Sequence, residues 1–167
     1  MTVTIYFDGL SEPVNPSGVG AWGFIVKSSA INVTRNGICP NPFTPEITNN
    51  VAEYTALIKA LEYLESKRIA MFADTDLHVG LMPDYDRDVR AYVDRNLVIN
   101  QMAGEWQVKS SRMYPLYQRA LELSKSFNVK YKWIPREENT IADELSFDAY
   151  ADYMRSIGKP PIRMKHR

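Results

Sequence analysis

The sequence predicts a mixed α/β domain, in which three antiparallel strands and then parallel crossovers build a five-stranded sheet flanked by helices. Three observations predict it. β-rich segments open the chain, a long run with helical apolar spacing follows, and strand-like and helical segments alternate from there on. The length of 167 residues is that of one domain.

Three β-rich segments come first. They cover residues 2–7, 21–26 and 31–34. The first segment ends at Asp8, and a stretch rich in Pro, Asn and Gly separates it from the second. Short segments divided by turn residues are typical of consecutive antiparallel strands.

An amphipathic helix is predicted next, through Glu65. Thr48 and the two asparagines after it supply capping side chains, and Glu53 lies in the opening turns. The apolar positions with helical spacing are Val51, Tyr54, Leu57, Ile58, Leu61 and Leu64.

The second half of the chain contains an insertion of about residues 67–90, with five acids between Asp74 and Asp88. Residues 69–73 are a further candidate for a short strand. The remaining predictions are a strand at 89–93 that ends at Asp94, a helix at 97–102, a helix at 110–127, a strand at 129–134 and a helix at 138–149. Strands that alternate with helices predict parallel crossovers.

Composition excludes several classes of function. The chain is 45% apolar and 24% charged, which is typical of a soluble globular protein. Basic and acidic residues number 20 each, so overall charge does not indicate nucleic acid or membrane as a partner. Cys39 is the only cysteine, which excludes an internal disulfide and a cysteine-based zinc site. Without a long apolar stretch or a signal peptide, we expect a cytoplasmic protein with no membrane partner.

The charge is nevertheless unevenly distributed. No acid follows Asp152, whereas five bases do, so we divide the chain into a domain at 1–154 and a basic tail at 155–167. Gly158 and two prolines predict that the tail is extended and mobile. Three interpretations of the tail are open: a solvated terminus, an arm that attracts phosphates, or a segment that Ile157 and Ile162 pack on the domain.

Four acids occupy related places in this topology. Asp8 and Asp94 each end a strand, Glu53 lies near the start of the first long helix, and Asp143 lies one turn into the last helix. If the two strands are neighbours, all four carboxylates converge at one edge of the sheet. Each close pair would then repel by about 4 kcal/mol at an effective dielectric constant of ~20, unless a divalent cation neutralises the cluster. Oxygen ligands favour Mg²⁺ or Mn²⁺ over zinc. Alternatively, each acid is an unrelated cap or surface charge.

Five motifs, in this order, resemble a type 1 ribonuclease H, and the match is closest to the short, archaeal-type members. They are Tyr6-Phe7-Asp8-Gly9; Asn15-Pro16-Ser17-Gly18 with Gly20 and Gly23; Thr48-Asn49-Asn50-Val51-Ala52-Glu53-Tyr54; Asp94-Arg95-Asn96-Leu97-Val98-Ile99-Asn100-Gln101; and Pro135-Arg136-Glu137-Glu138-Asn139-Thr140-Ile141-Ala142-Asp143. The resemblance covers residues 3–145, interrupted by 67–90.

The resemblance implies a ribonuclease H-like fold and hydrolysis of the RNA strand of an RNA–DNA hybrid. We expect the protein to be a monomer. It implies two Mg²⁺ ions, or Mn²⁺ as a substitute, held by Asp8, Glu53, Asp94 and Asp143. One ion would activate a water molecule and the other would stabilise the leaving oxygen. Gly9, Asn15, Asn49, Asn50, Arg95 and Asn139 are the candidate substrate contacts, because recognition of such a duplex uses the backbone and the 2′-hydroxyls.

The sequence departs from the family in three places. Arg95 follows the third acid where the family has Ser, and it either contacts a phosphate or pairs with nearby acids. The histidine that many members carry before the last acid is absent. Arg136 instead resembles the arginine of archaeal-type members, which is expected to touch the scissile phosphate or the departing product; its alternative is a salt bridge to Glu137 or Glu138. The third departure is the long 67–90 segment.

Two alternatives remain open. Asp74 also follows a strand-like segment and precedes Thr75, so it rivals Asp94 as the third acid. We choose Asp94 because residues 97–101 continue the family pattern after it. Two alternative functions are open. The first is the same fold acting on double-stranded RNA or on RNA–DNA junctions, and the second is that of a non-catalytic relative that binds nucleic acid. A reverse-transcriptase-derived domain is a further one, although Met1 lies directly before the first strand and favours a stand-alone protein.

Overall fold

The computed structural model describes residues 2–29, 31–67, 76–81, 97–125 and 127–163. The strands are β1 (Thr2–Glu12), β2 (Val19–Lys27), β3 (Asn32–Ile38), β4 (Asp76–Leu81) and β5 (Asn128–Trp133). The helices are α1 (Asn49–Ser66), α2 (Leu97–Met102), α3 (Tyr114–Ser124) and α4 (Thr140–Ser156), with a 3-10 turn at Arg136–Glu138 before α4.

The strands form a mixed sheet in the order β3-β2-β1-β4-β5. β1 pairs antiparallel with β2, and β2 pairs antiparallel with β3. β4 pairs parallel with both β1 and β5. This arrangement confirms the predicted fold class.

The two faces of the sheet carry separate cores. Val3, Ile5 and Phe7 of β1 pack with the buried side of α1 and with α2 and α3. On the other face, Leu10 packs with Tyr150 of α4. Side chains alternate along a strand, so Asp8 faces α4 whereas Gly9 faces α1. Within the described segments, no helix has the length and apolar character that crossing a membrane requires.

β1 is longer than predicted. It continues to Glu12, so Asp8 lies inside the strand and does not end it. The reason is the hairpin with β2, in which the residues from Asp8 to Glu12 pair with those from Gly23 back to Val19. The glycine that suggested a strand end, Gly9, is instead part of the ladder.

The helices also differ from prediction at their ends. α3 begins at Tyr114 and not at Ser110, because the residues before it form turns and Pro115 is placed in its first turn, where proline is tolerated. α4 begins at Thr140, after the 3-10 turn that contains Glu138, and it continues to Ser156.

β4, at Asp76–Leu81, lies beside β1 in the sheet. This strand lies within the predicted insertion, and its Leu77, Val79 and Leu81 alternate as a strand requires. The predicted strands at 69–73 and 89–93 lie outside the described residues.

Buried thiol and phenol groups make the fold sensitive to alkaline pH. Burial raises the pKa of Cys39 from its ordinary value of 9.0 to about 11, and it also raises the pKa of Tyr54 and Tyr150. Above the ordinary values, the unfolded chain releases protons that the folded chain retains. The free energy of unfolding should therefore fall as pH rises above about 9, where the Cys39 thiol of the unfolded chain ionises, by about 1.4 kcal/mol per pH unit for that group.

Urea unfolding between pH 7 and 10.5 measures this decline. Cys39→Ala should make the slope between pH 9 and 10 shallower. A stability that stays constant up to pH 10.5 would contradict the prediction.

Candidate active site

Asp8 is buried in the middle of β1, where it is 4% exposed. Its Oδ2 lies 3.4 Å from Oγ of Ser146 on α4. The helix comes this close because Gly23, the β2 residue paired with Asp8, has no side chain. A Cβ at Gly23 would lie 2.7 Å from the Ser146 nitrogen. The missing side chain on β2 therefore lets α4 pack directly over Asp8.

Glu53 is buried to a similar degree on α1, where it is 2% exposed. The first turns of α1 lie against Gly9, and a Cβ at Gly9 would overlap the backbone of Ala52 and Glu53. The backbones of β1 and α1 thus touch one residue after Asp8. Gly9, which we predicted to bind substrate, has this packing role in the structure.

Asp143 lies in the first turn of α4, and its carboxylate is held by Arg163 of the C-terminal tail. Nη2 of Arg163 donates to both Oδ1 and Oδ2 of Asp143, each at 2.6 Å. Ser146 Oγ, the atom close to Asp8, donates to the backbone carbonyl of Asp143 at 2.9 Å. Ser146 therefore lies between the two acids.

The predicted convergence of four carboxylates involves one residue, Asp94, that lies outside the described residues. Among the residues that the structure describes, no three Asp, Glu, His or Cys side chains form a group that could hold an ion. The convergence of the four acids stays a prediction. In the structure, the guanidinium of Arg163 supplies the positive charge at Asp143.

Asp94 and Arg95 lie outside the described residues, as does the rival Asp74. In the described part of β4, Leu81 pairs with Phe7, the residue before Asp8. The assignment of Asp94 as the third acid stays a prediction.

Asn139 connects the start of α4 to β1. It is 2% exposed, and its Nδ2 donates to the backbone carbonyl of Phe7 at 2.9 Å. Its Oδ1 is buried and accepts no hydrogen bond from the described part of the chain. Asn139 is therefore tied to β1 next to Asp8, and its predicted contact with substrate stays a prediction.

Asn15 and Asn49 shape the start of α1. The backbone N–H of Asn49 donates to Oδ1 of Asn15 at 3.0 Å, and the N–H of Ser11 donates to Oδ1 of Asn49 at 2.8 Å. Thr48 caps the helix by accepting from the N–H of Val51 at 3.1 Å. The Oδ1 atoms of both asparagines therefore hold the β1–β2 loop against the helix.

A groove of about 410 Å³ runs between the start of α1 and the segment that joins α2 to α3. Asn50 lines it from α1, and Lys109 and Arg112 line it from the other side. The groove has a fixed wall, because Tyr54 donates to Oε1 of Gln101 at 2.6 Å and so ties α1 to α2. Sequence reasoning missed the two cations, although they follow the 97–101 motif within a dozen residues.

The described part of the tail contacts α4. The N–H of Ile162 donates to the Tyr150 hydroxyl at 2.9 Å, and the hydroxyl donates to the Ile162 carbonyl at 3.0 Å. The side chains of Ile157 and Ile162 are 41% and 56% exposed, so the isoleucines do not pack the tail on the domain. The tail is instead held by hydrogen bonds to the Tyr150 hydroxyl and by the cations of Lys159 and Arg163.

Arg136 forms part of the 3-10 turn, and its side chain lies outside the described residues.

The donor set fits magnesium. Carboxylates are rarely as buried as Asp8 and Glu53 unless they are paired or bind a metal. Their oxygens are hard ligands, which suit Mg²⁺ or Mn²⁺. Both belong to elements whose backbones touch, and Asp143 is connected to Asp8 through Ser146.

Comparison with known proteins agrees with the fold. The model of the reverse transcriptase-like family matches residues 86–149. The bifunctional protein Rv2228c of Mycobacterium tuberculosis is 36% identical over 103 residues, which cover 61% of this chain and 24% of that protein. This chain therefore matches about a quarter of the length of that relative. The solved N-terminal RNase H domain of Rv2228c has a TM-score of 0.72 at 29% identity, covering 93% of this chain and 98% of that one.

Two further relatives extend the comparison. LC11-RNase H1, isolated from compost and solved in complex with an RNA/DNA hybrid, has a TM-score of 0.72 at 27% identity, covering 91% of this chain and 99% of that one. Ribonuclease HI of Halobacterium salinarum is 32% identical over 154 residues, covering 90% of this chain and 65% of that protein. The fold of the chain is therefore ribonuclease H-like. The proteins to which it is similar are named as ribonucleases H, and they include an archaeal one.

Proposed function

We propose that the chain is a metal-dependent endoribonuclease that hydrolyses the RNA strand of RNA–DNA hybrids. The observation that carries the proposal is the placement of two buried acids, Asp8 and Glu53, on either side of the contact between β1 and α1 in a ribonuclease H-like sheet. The complex of LC11-RNase H1 with a hybrid supports the choice of substrate.

Asp8, Glu53, Asp94 and Asp143 would hold two Mg²⁺ ions, or Mn²⁺ in their place, when substrate binds. Bound there, the ions would supply activation of water and stabilisation of charge on the leaving oxygen. The chain needs no nucleophilic side chain of its own. Cys39 is buried, and its pKa of about 11 keeps it a thiol at neutral pH.

The chain's own residues fix the geometry of the acids. Ser146 and Asn139 hold the start of α4 against β1 at Asp8 and Phe7, through contacts to Asp8 Oδ2 and to the Phe7 carbonyl. The close Gly9 contact sets the position of Glu53. Rigid elements therefore place both carboxylates before any ligand arrives, which limits the reorganisation that binding requires.

Substrate recognition is proposed to use the groove beside α1. Asn50, Lys109 and Arg112 line it and can reach a backbone through amide and cationic groups. We propose that Arg95 contacts a phosphate and that Arg136 touches the scissile phosphate or the departing product. Asn15 and Asn49 act on substrate binding indirectly, because they shape the start of the helix that carries Asn50.

A cleavage assay tests the proposal. The full chain is incubated with an end-labelled RNA–DNA hybrid in Mg²⁺, Mn²⁺ or EDTA, with double-stranded RNA of the same sequence in parallel. We expect cleavage of the RNA strand of the hybrid with either metal and none in EDTA. Preferred cleavage of double-stranded RNA would favour the rival substrate. Hybrid binding without cleavage in any metal would favour a non-catalytic relative.

Metal should also stabilise the folded chain. A ligand that binds only the folded state adds about 2.7 kcal/mol when its concentration is 100 times its dissociation constant. Saturating Mn²⁺ should raise the Tm of the wild type in a thermal melt but not that of a Glu53→Gln/Asp94→Asn double variant. An equal shift in both proteins would mean that the ions bind elsewhere, for example at the acids between residues 84 and 88.

A further inference from the structure

We infer that Arg163 is an intramolecular competitor of the metal at Asp143, and that the C-terminal strap, defined as residues 159–163, is an autoinhibitory contact. The inference rests on the proposed function, since it concerns one of the proposed metal ligands. The contact of Arg163 Nη2 with both oxygens of the Asp143 carboxylate is the observation that carries it.

The guanidinium occupies the oxygens that an ion would need. Arg163 donates to both oxygens of the Asp143 carboxylate at 2.6 Å. Its guanidinium carbon also lies 4.5 Å from the centre of the Phe147 ring, one turn further along α4. Cation–π stacking and a two-oxygen ion pair fix the guanidinium in one place.

The strap is attached independently of Asp143. Tyr150 exchanges two hydrogen bonds with Ile162, and Lys159 Nζ lies 5.3 Å from the centre of the Phe43 ring. These contacts keep Arg163 close to α4 whether or not it is bound to Asp143. The guanidinium therefore competes at a high effective concentration, as a tethered ligand does.

The pair can open without unfolding of the core. The side chain of Arg163 is 36% exposed and that of Asp143 is 19% exposed, so water reaches both partners. A divalent ion and the guanidinium each need the same carboxylate, so the two bind in mutually exclusive ways. By linkage, if Arg163 lowers the affinity of Asp143 for the metal by a given factor, the metal lowers the affinity of the strap for Asp143 by the same factor.

Mn²⁺ binding to the full chain, measured by calorimetry without nucleic acid, tests the competition. Arg163→Ala should bind Mn²⁺ about fivefold more tightly than wild type, the factor that corresponds to a surface ion pair at the upper end of measured strengths. Arg155→Ala is the matched control, because Arg155 pairs with Asp152 on the same helix at 3.4 Å and lies outside the proposed site. It should bind Mn²⁺ as wild type does.

Limited trypsin digestion gives a second readout. Arg163 is a trypsin site, and its pairing with Asp143 should protect it. Saturating Mg²⁺ should therefore speed release of residues 164–167 from the wild type, whereas Asp143→Asn should release them rapidly with or without the ion. The products are resolved by mass spectrometry.

The outcomes separate the two proposals. Equal or weaker Mn²⁺ binding by Arg163→Ala, with wild-type binding intact, overturns the competition and leaves the proposed function standing. Mg²⁺-independent protection of Arg163 overturns it as well. Absence of Mn²⁺ binding in every variant overturns both the proposed function and the inference.

Discussion

Asp8→Asn should reduce hybrid cleavage by more than about a hundredfold, since even the loss of a group that merely supports a metal ligand costs up to that factor. The substitution removes a negative charge from the proposed metal site and keeps the shape of the side chain. Because Asp8 is buried, loss of its charge should leave the Tm equal to that of the wild type or higher. Initial rates and thermal melts of purified protein measure both effects.

Glu12→Gln is the matched control for Asp8. Glu12 is also a buried acid of β1, and it lies an even number of residues from Asp8, so both face α4. It is outside the proposed metal site, and its variant should retain the cleavage rate. Equal losses in both variants would indicate a general effect of buried charge on β1 and would contradict a specific role for Asp8.

Gly9→Ala should destabilise the fold by about 3 kcal/mol, the upper end of the usual cost of overpacking, because the added methyl group meets main chain and not a flexible side chain. A Cβ here would overlap the backbone of Ala52 and Glu53, so β1 and α1 must separate. The separation should also displace Glu53, and hybrid cleavage should fall even at temperatures where the variant is folded. Urea unfolding and initial rates test the two effects.

Gly20→Ala provides the comparison for Gly9. A Cβ at Gly20 would approach side-chain atoms of Cys39 and Ile47 at 3.0 to 3.1 Å, and side chains can move by the few tenths of an ångström required. We expect a clearly smaller loss of stability and little change in rate. If Gly9→Ala is as mild as Gly20→Ala, the contact between β1 and α1 does not hold Glu53 in place.

Local patterns were sufficient for the order of the elements and the fold class. They misplaced the end of β1, since a glycine after an acid resembles a turn when its packing against α1 is unknown. They also missed the strand beside β1. Leu77, Val79 and Leu81 alternate with Asp76, His78 and Gly80, whereas the segment at 89–93, for which a strand was predicted, continues into a family motif.

The candidate site shows the same division between local and distant information. The burial of Asp8 and Glu53 follows from motifs that are contiguous in sequence. The pairing of Asp143 with Arg163 does not follow from a contiguous motif. Arg163 lies 20 residues away, in a segment whose glycine and prolines indicate a mobile terminus. Such a contact depends on the fold of α4 and on the anchoring of Ile162 by Tyr150.

The most direct test of a metal site built on Asp8 and Glu53 is the anomalous scattering of Mn²⁺ in crystals of the full chain with a non-cleavable hybrid. We predict density within bonding distance of the carboxylates of Asp8 and Glu53, with Asp94 as a further ligand and Arg163 withdrawn from Asp143. Manganese bound only among the acids between residues 84 and 88, or bound by Asp74 in place of Asp94, would contradict that prediction.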